Sequence, residues 1–353
     1  MQAPVITPSL ISSADRVRIV GQGLTGTMLA LMLREKGIPF IVQDTLLPGA
    51  ATPVAPGIVN PLAGRKFRPP NRIGMLLESL EEGMHRVERL LGIDIWRPVP
   101  ILRMFSEPTQ IDRFEKQLAE GSGELRFVDE RFPENSFSFL NDVFGSFLTR
   151  EGGWADLPLL HSTMRAWLAR EGCLDESRWD PETDPAANPN EVVCFCDGWR
   201  IAENPHWSFI PHNPAKGEML IVRFEETLPR DRIYNQACWI QPLEGDLWRV
   251  GATYTWSGFN SEASLDGADD LRERLQLLTP VPFHVEDQVA GVRPIVEDYR
   301  PVIGRHPKIP NWFVLNALGS KGVLQANAAV QALIEHMLAG RGIPPDWCVT
   351  RFA

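Results

Sequence analysis

Three glycines, Gly21, Gly23 and Gly26, stand between an apolar run and a helix-like one in VRIVGQGLTGTMLALMLREKGIPFIVQD. Val17 to Val20 reads as a short strand, and Leu24, Met28 and Leu31 fall at helical spacing. Gly37 ends that helix, Ile38 to Val42 begins a second strand, and Asp44 closes it. This is a β-α-β unit with a right-handed crossover. Each glycine has a mechanical role. Gly21 permits a tight turn, Gly23 lets backbone approach a diphosphate, and Gly26 lets helix and strand pack closely. The amides around Leu24 and Thr25 then face the phosphates, with the helix dipole behind them. Asp44 is placed to accept the ribose hydroxyls, and its charge disfavours a 2′-phosphate there. The pattern predicts a bound dinucleotide without separating a flavin from a nicotinamide one.

The rest of the chain sets limits on function. Its 353 residues suit two domains, and no apolar run reaches the length of a membrane span. A net charge of −10 argues against a nucleic-acid-binding surface. Residues 1 to 16 lack the basic and apolar regions of a signal peptide and read as a short extension, so the expected location is cytoplasmic. Cys194 and Cys196 share one face of a strand, but no second Cys or His pair stands nearby. They read as small buried hydrophobes, and no metal site is expected. There is no G-x-S-x-G elbow, and the seven histidines are scattered, so nucleophilic catalysis is not indicated.

Further along, a Gly/Pro-rich stretch, GAATPVAPGIVNPLAGRKFRPP, has no period and is too apolar for a solvated linker. Helices are predicted over 71–91, 108–119, 157–170, 266–278 and from the Gly-rich turn at 319–322 to about Leu338. Strands are predicted in KGEMLIVRF, QACWIQPL and LWRVGATYTW, with Gly245 making a hairpin turn between the last two. Trp239, Trp248, Tyr254 and Trp256 on these strands are candidates for a substrate-facing sheet or for core packing. The segment DPETDPAANPN is turn-rich.

The order of these blocks resembles the FAD-dependent amine and amino-acid oxidoreductases: D-amino-acid oxidase, glycine oxidase, sarcosine oxidase and the flavin half of a bacterial tRNA-wobble-modification enzyme. Besides the glycine fingerprint, GAATPVAPGIVNP resembles that family's loop past the pyrophosphate and flavin. GVRPIVEDYRPVIGRHP and NALGSKGVLQANAAVQALIEHML resemble its two C-terminal blocks. The resemblance implies an α/β fold: a Rossmann-like FAD-binding domain (parallel sheet with helices) and a smaller α+β substrate domain with a mainly antiparallel sheet. The expected division is 1–92, 151–204 and 291–353 for FAD, and 93–150 and 205–290 for substrate.

The resemblance also implies site residues. FAD is expected on Gly21, Gly23, Leu24, Thr25, Gly26, Asp44, Thr52, Ala55, Gly57, Ile58, Asp197, Gly198, Gly319, Ser320, Lys321, Gly322 and Val323. It is expected to be non-covalent, because no cysteine lies between Cys238 and Cys348, where the covalent branch carries one. Arg293 stands where glycine oxidase and its relatives clamp a substrate carboxylate, a match for a guanidinium fork. The alternative is pairing to Glu297 or Asp298. Lys321, at the second basic position, is a departure from glycine oxidase. Arg65 and Lys66 either line the active-site entrance or face solvent. The implied partner is a small amine or amino acid that gives up a hydride and leaves an imine for hydrolysis. Two rival readings are a flavoprotein subunit without its own substrate and an NAD-dependent dehydrogenase.

Overall fold

The computed structural model describes residues 16–64, 66–120, 126–182 and 191–353. The first sheet grows from the β-α-β unit. Strand β1 (Arg16–Val20) lies parallel to β2 (Phe40–Gln43) on one side and β10 (Glu191–Phe195) on the other. β9 (Leu174–Asp175) and β17 (Trp312–Asn316) extend it in parallel, and β16 (Val302–Arg305) closes one edge antiparallel. The order is β16-β17-β10-β1-β2-β9. Val192 to Phe195 of β10 and Trp312 to Leu315 of β17 read as apolar runs because helices cover the sheet, while Arg16 and Arg18 of β1 pair with Glu191 at its edge.

Helix α1 (Leu24–Glu35) is buried nearly all round, not only on the Leu24–Met28–Leu31 face. It packs against α2 (Ile73–Leu91), α4 (Leu157–Arg170) and α6 (Gly322–Ala339). Helices α2 and α6 meet where Gly83 faces Asn327: a Cβ on Gly83 would lie 2.7 Å from that side chain. Beside this contact, Arg86 donates to Asn327 Oδ1 at 2.7 Å and to Glu35 at 2.7 Å. A polar cluster therefore sets how the C-terminal helix lies on α2.

The second sheet is mainly antiparallel and eight-stranded. Its strands are β5 (Ile101–Met104), β6 (Val128–Phe132), β7 (Ser146–Thr149), β11 (Ala215–Phe224), β12 (Ile233–Asn235), β13 (Trp239–Pro242), β14 (Leu247–Gly251) and β15 (Phe283–Arg293). Their order is β15-β11-β14-β13-β12-β5-β7-β6. Helix α3 (Pro108–Ala119) and helix α5 (Leu265–Leu278) complete this part, and α5 packs on β11. Gly245 takes φ +65° in the β13–β14 hairpin, as its sequence requires. A small third sheet, β3 (Ile58–Val59), β4 (Trp96–Pro98) and β8 (Gly153–Ala155), joins the Gly/Pro-rich stretch to the rest.

The run LWRVGATYTW departs from expectation, since its ladder ends at Gly251. Met219 and the Trp239 ring crowd that residue, and the chain beyond pairs with β11 only raggedly, through Thr253 and Thr255. Tyr254 and Trp256 are consequently exposed. Trp248 faces the opposite core with Phe224 and takes no part in a substrate surface. Cys194 and Cys196 are buried, and burial pushes both thiols up. The extension 1–15, Arg65 and most of the turn-rich segment, 183–190, lie outside the described residues.

Candidate active-site cleft

Ligands of open parallel sheets bind beyond the carboxyl ends of the strands. Here those ends meet. Gly21 follows β1, Asp44 follows β2, Asp197 follows β10, and Ala317 to Lys321 follow β17. All of them line one cleft of about 1170 Å³, which continues past Arg293 onto the antiparallel sheet. That exceeds the usual range for small-molecule sites, roughly 300–1000 Å³.

The first glycine turn is a cradle that side chains would fill. Gly21 takes φ +99°, and a Cβ there would lie 2.6 Å from the Cys196 carbonyl oxygen. A Cβ on Gly26 would lie 1.9 Å from the Gly21 oxygen. Both positions therefore exclude every other residue. The Gln22 amide donates to Asp44 Oδ2 at 2.9 Å, and the Leu24 amide to Thr52 Oγ1 at 3.0 Å. The remaining amides of the first turn of α1 have no intrahelical acceptor and suit an anion. Thr52 thus shapes the turn by holding Leu24.

Asp44 is more engaged than its sequence suggests. Arg165 on α4 donates to its Oδ1 at 3.1 Å, and the Leu46 amide does so at 3.0 Å. Gln22 Nε2 donates to the His161 carbonyl, tying the turn to the same helix. Arg165 and His161 were not legible beforehand, because α4 joins this site only through the tertiary fold.

The second glycine turn is stitched to its neighbours. The Gly319 amide donates to the Pro294 oxygen at 3.0 Å. Asn316 Nδ2 donates to Asp197 Oδ1 at 3.2 Å and to the Gly198 oxygen at 3.1 Å. Helix α6 begins at Gly322, so its positive end faces the cleft, close to the start of α1: a Cβ on Gly322 would lie 3.6 Å from Leu24. Lys321 lines the rim with its side chain exposed. Ala55, Gly57 and Ile58 line the middle of the cleft. Gly57 takes φ +68° with the Ala155 oxygen 1.9 Å from where a Cβ would be. The antiparallel sheet grips this loop, with Gln241 donating to the Pro56 oxygen and Arg249 to the Ala55 oxygen.

Burial pushes the Asp197 carboxyl up to about 7, and nearby Glu203 adds to the rise. The folded state then holds a proton that the unfolded chain, with its ordinary carboxyl near 3.8, gives up. Stability of the cofactor-free protein therefore falls as pH rises from about 4 to about 7, then levels. Melting temperatures across that range should show the decline, and Asp197→Asn should flatten it.

At the other end, Arg293 is the last residue of β15. Its guanidinium lies across Gly217 of β11, where a Cβ would stand 2.3 Å from a guanidinium nitrogen. It donates to the Thr253 oxygen at 3.3 Å and lies 4.9 Å from the Tyr254 ring centre. No carboxylate pairs with it among the described residues. Asp298, the sequence alternative, is bound by Arg351 at 2.8 Å. Removal from water pulls the Arg293 guanidinium below its usual range. Such a donor is suited to a ligand anion. Trp239 and Tyr254 line this end, whereas Trp256 does not. Lys66 is exposed and off the lining, which Arg68 joins instead.

Two glycine turns and helix N-termini on one cleft suit a bound dinucleotide. A family model for FAD-dependent oxidoreductases (DAO) matches residues 16–335, and the chain belongs to that family. FAD is the family's cofactor, and the cradle at Gly21 to Gly26 fits its diphosphate. Glycine oxidase of Bacillus subtilis (strain 168) is 30% identical over 136 residues, covering 38% of this chain and 37% of that protein. The matched span is thus little more than a third of the relative's length. Iminodiacetate oxidase from Chelativorans sp. BNC1 superposes with TM-score 0.78 at 19% identity, over 96% of this chain and 98% of that one. Glycine oxidase from Geobacillus kaustophilus gives TM-score 0.74 at 19% identity, over 92% and 95%. Among the described residues, no group of three or more His, Cys, Asp or Glu is placed to hold a metal, and no helix is long and apolar enough to cross a membrane.

Proposed function

We propose that this enzyme oxidises a small amine that carries a carboxylate, with Arg293 as the carboxylate clamp. The observation that carries the reading is a half-buried guanidinium, free of any carboxylate partner among the described residues, in the wall of the FAD cleft. Gly21 to Gly26 hold the diphosphate of a non-covalent FAD and Asp44 the ribose, with Asp197 and Gly198 beside them. Thr52, Ala55, Gly57 and Ile58 line its path, and Gly319 to Val323 meet the ring. Bound there, FAD supplies the acceptor for the hydride leaving the amine-bearing carbon.

The chain's own part is positioning. Arg293 fixes the carboxylate, and the Thr253 carbonyl and Tyr254 ring fix Arg293. The start of α6 and Lys321 make the ring end of the cleft positive. In this reading, residues 1–92, 151–204 and 291–353 carry FAD, while 93–150 and 205–290 carry the substrate. The glycine oxidase and iminodiacetate oxidase likenesses support an amino-acid-like substrate. The test is anaerobic mixing of the FAD-loaded protein with glycine, N-alkylglycines and their decarboxylated counterparts. Flavin bleaching by the carboxylate-bearing members alone is expected. Equal bleaching by both sets would remove the clamp from the account.

A further inference from the structure

One carboxylate does not use all of the positive charge in this cleft. The chain carries a net charge of −10. The acidic lining residues, Asp44, Asp197 and Glu203, all lie by the nucleotide-binding sheet. On the antiparallel sheet and the loops facing it, the lining includes Arg68, Arg103, Arg274 and Arg293 and, among the described residues, no carboxylate. Arg274 is bonded to Asp270 behind the wall, and Arg68 is exposed. Arg103 differs from both. It is 8% exposed and has no ion pair among the described residues. Its guanidinium makes two long bonds, to the Leu62 oxygen at 3.3 Å and the Gly64 oxygen at 3.2 Å, and its Nε has no partner. Burial pulls it down to about 10. The Phe67 ring lies 5.0 Å from the guanidinium carbon and the Nε is sealed from the cleft, so an anion would meet this cation at its terminal nitrogens; left without one, the cation is costly to bury.

Its surroundings link it to Arg293. Arg103 stands opposite Asn235, Asn235 opposite Trp239, and Trp239 opposite Gly251. Directly opposed residues share a sheet face, and all four line the cleft. They form a floor across four adjacent strands. Gly251 keeps it open, since a Cβ there would strike the Trp239 ring at 2.6 Å. Three inter-strand steps put about 14 Å between the outer strands of the row. The chain after Gly251 leads to Tyr254, which carries Arg293 on its ring.

We infer that the substrate is an elongated dianion: an amine whose first carboxylate sits on Arg293 and whose second carboxylate-type group reaches Arg103. This deepens the reading of Arg293 as clamp and rests on it. The Arg293 guanidinium lies over Gly217 of β11, one strand beyond the row, so about 19 Å separates the strands beneath the two cations and the dianion must be long. A short amino acid binds only the Arg293 end.

The experiment is calorimetric titration of the FAD-loaded protein with straight-chain monocarboxylates and α,ω-dicarboxylates of increasing length. Monocarboxylates are expected to bind weakly. Dicarboxylates gain about tenfold or more at one of the longer chain lengths, the gain of a second charged contact. Arg103→Met removes that gain and leaves monocarboxylate affinity unchanged. Equal affinity of the two series at every length overturns the inference. So does an Arg103→Met loss that is the same for both, which would make Arg103 a brace for the 62–64 loop only. If neither series binds, the Arg293 clamp falls as well, an outcome distinct from the other two.

Discussion

Gly26→Ala is expected to yield a protein that neither folds to full stability nor retains FAD. The added carbon would sit 1.9 Å from the Gly21 carbonyl oxygen, and because that obstacle is backbone, no side-chain movement relieves it. Helix α1 must then separate from the β1 turn. It is also a core element, buried against α2, α4 and α6, so the shift spreads. The cost is roughly 3 kcal/mol or more, the upper range for overpacking in a core. Displacing the turn also misaligns the first-turn amides, so FAD affinity falls by at least about a hundredfold. Denaturant melts and flavin fluorescence of the dialysed protein check both parts. Gly342→Ala is the control, because a Cβ there meets nothing within 4 Å. A Gly26→Ala protein as stable and as yellow as the control would show that the turn is not the tight contact described.

Arg293→Ala is expected to leave fold and flavin intact while lowering kcat/KM for carboxylate-bearing amines by about a hundredfold. Stability should change little, since the guanidinium makes one long bond, to the Thr253 oxygen. Gly217→Ala is a companion variant. It pushes the same guanidinium aside from below without removing charge, and steady-state kinetics should show an intermediate loss. Amines without a carboxylate should be indifferent to both changes. If Arg293→Ala kinetics match the parent enzyme on every carboxylate substrate, Arg293 is not the clamp.

The nucleotide end of this cleft was open to sequence reasoning because its requirements fall on the backbone. A position that must lack a Cβ, such as Gly21 or Gly26, is visible as a glycine at fixed spacing after an apolar strand. Helix α4 was legible to the residue from its apolar period, yet the role of its Arg165 was not, because nothing local links it to Asp44. Arg103 was hidden for a similar reason. Nothing local in ILRMF marks it for a ligand, and only the pairing of β5 with β12 brings it to the cleft. The aromatics were ambiguous for the opposite reason. Trp239 and Trp248 sit on adjacent strands with the same local pattern, and tertiary packing sends one to the cleft and the other to the core. Arg293 is legible through resemblance, while its half-buried place in the cleft wall and its freedom from Glu297 and Asp298 come from the fold.

A crystal structure of the FAD-loaded protein with an unreactive dicarboxylate would bear on the whole account at once. The diphosphate should lie within hydrogen-bond distance of the first-turn amides of α1. The flavin ring should rest against residues 319–322, and one carboxylate should be forked by Arg293. A carboxylate bound away from Arg293, or a ring turned away from the second glycine turn, would contradict it.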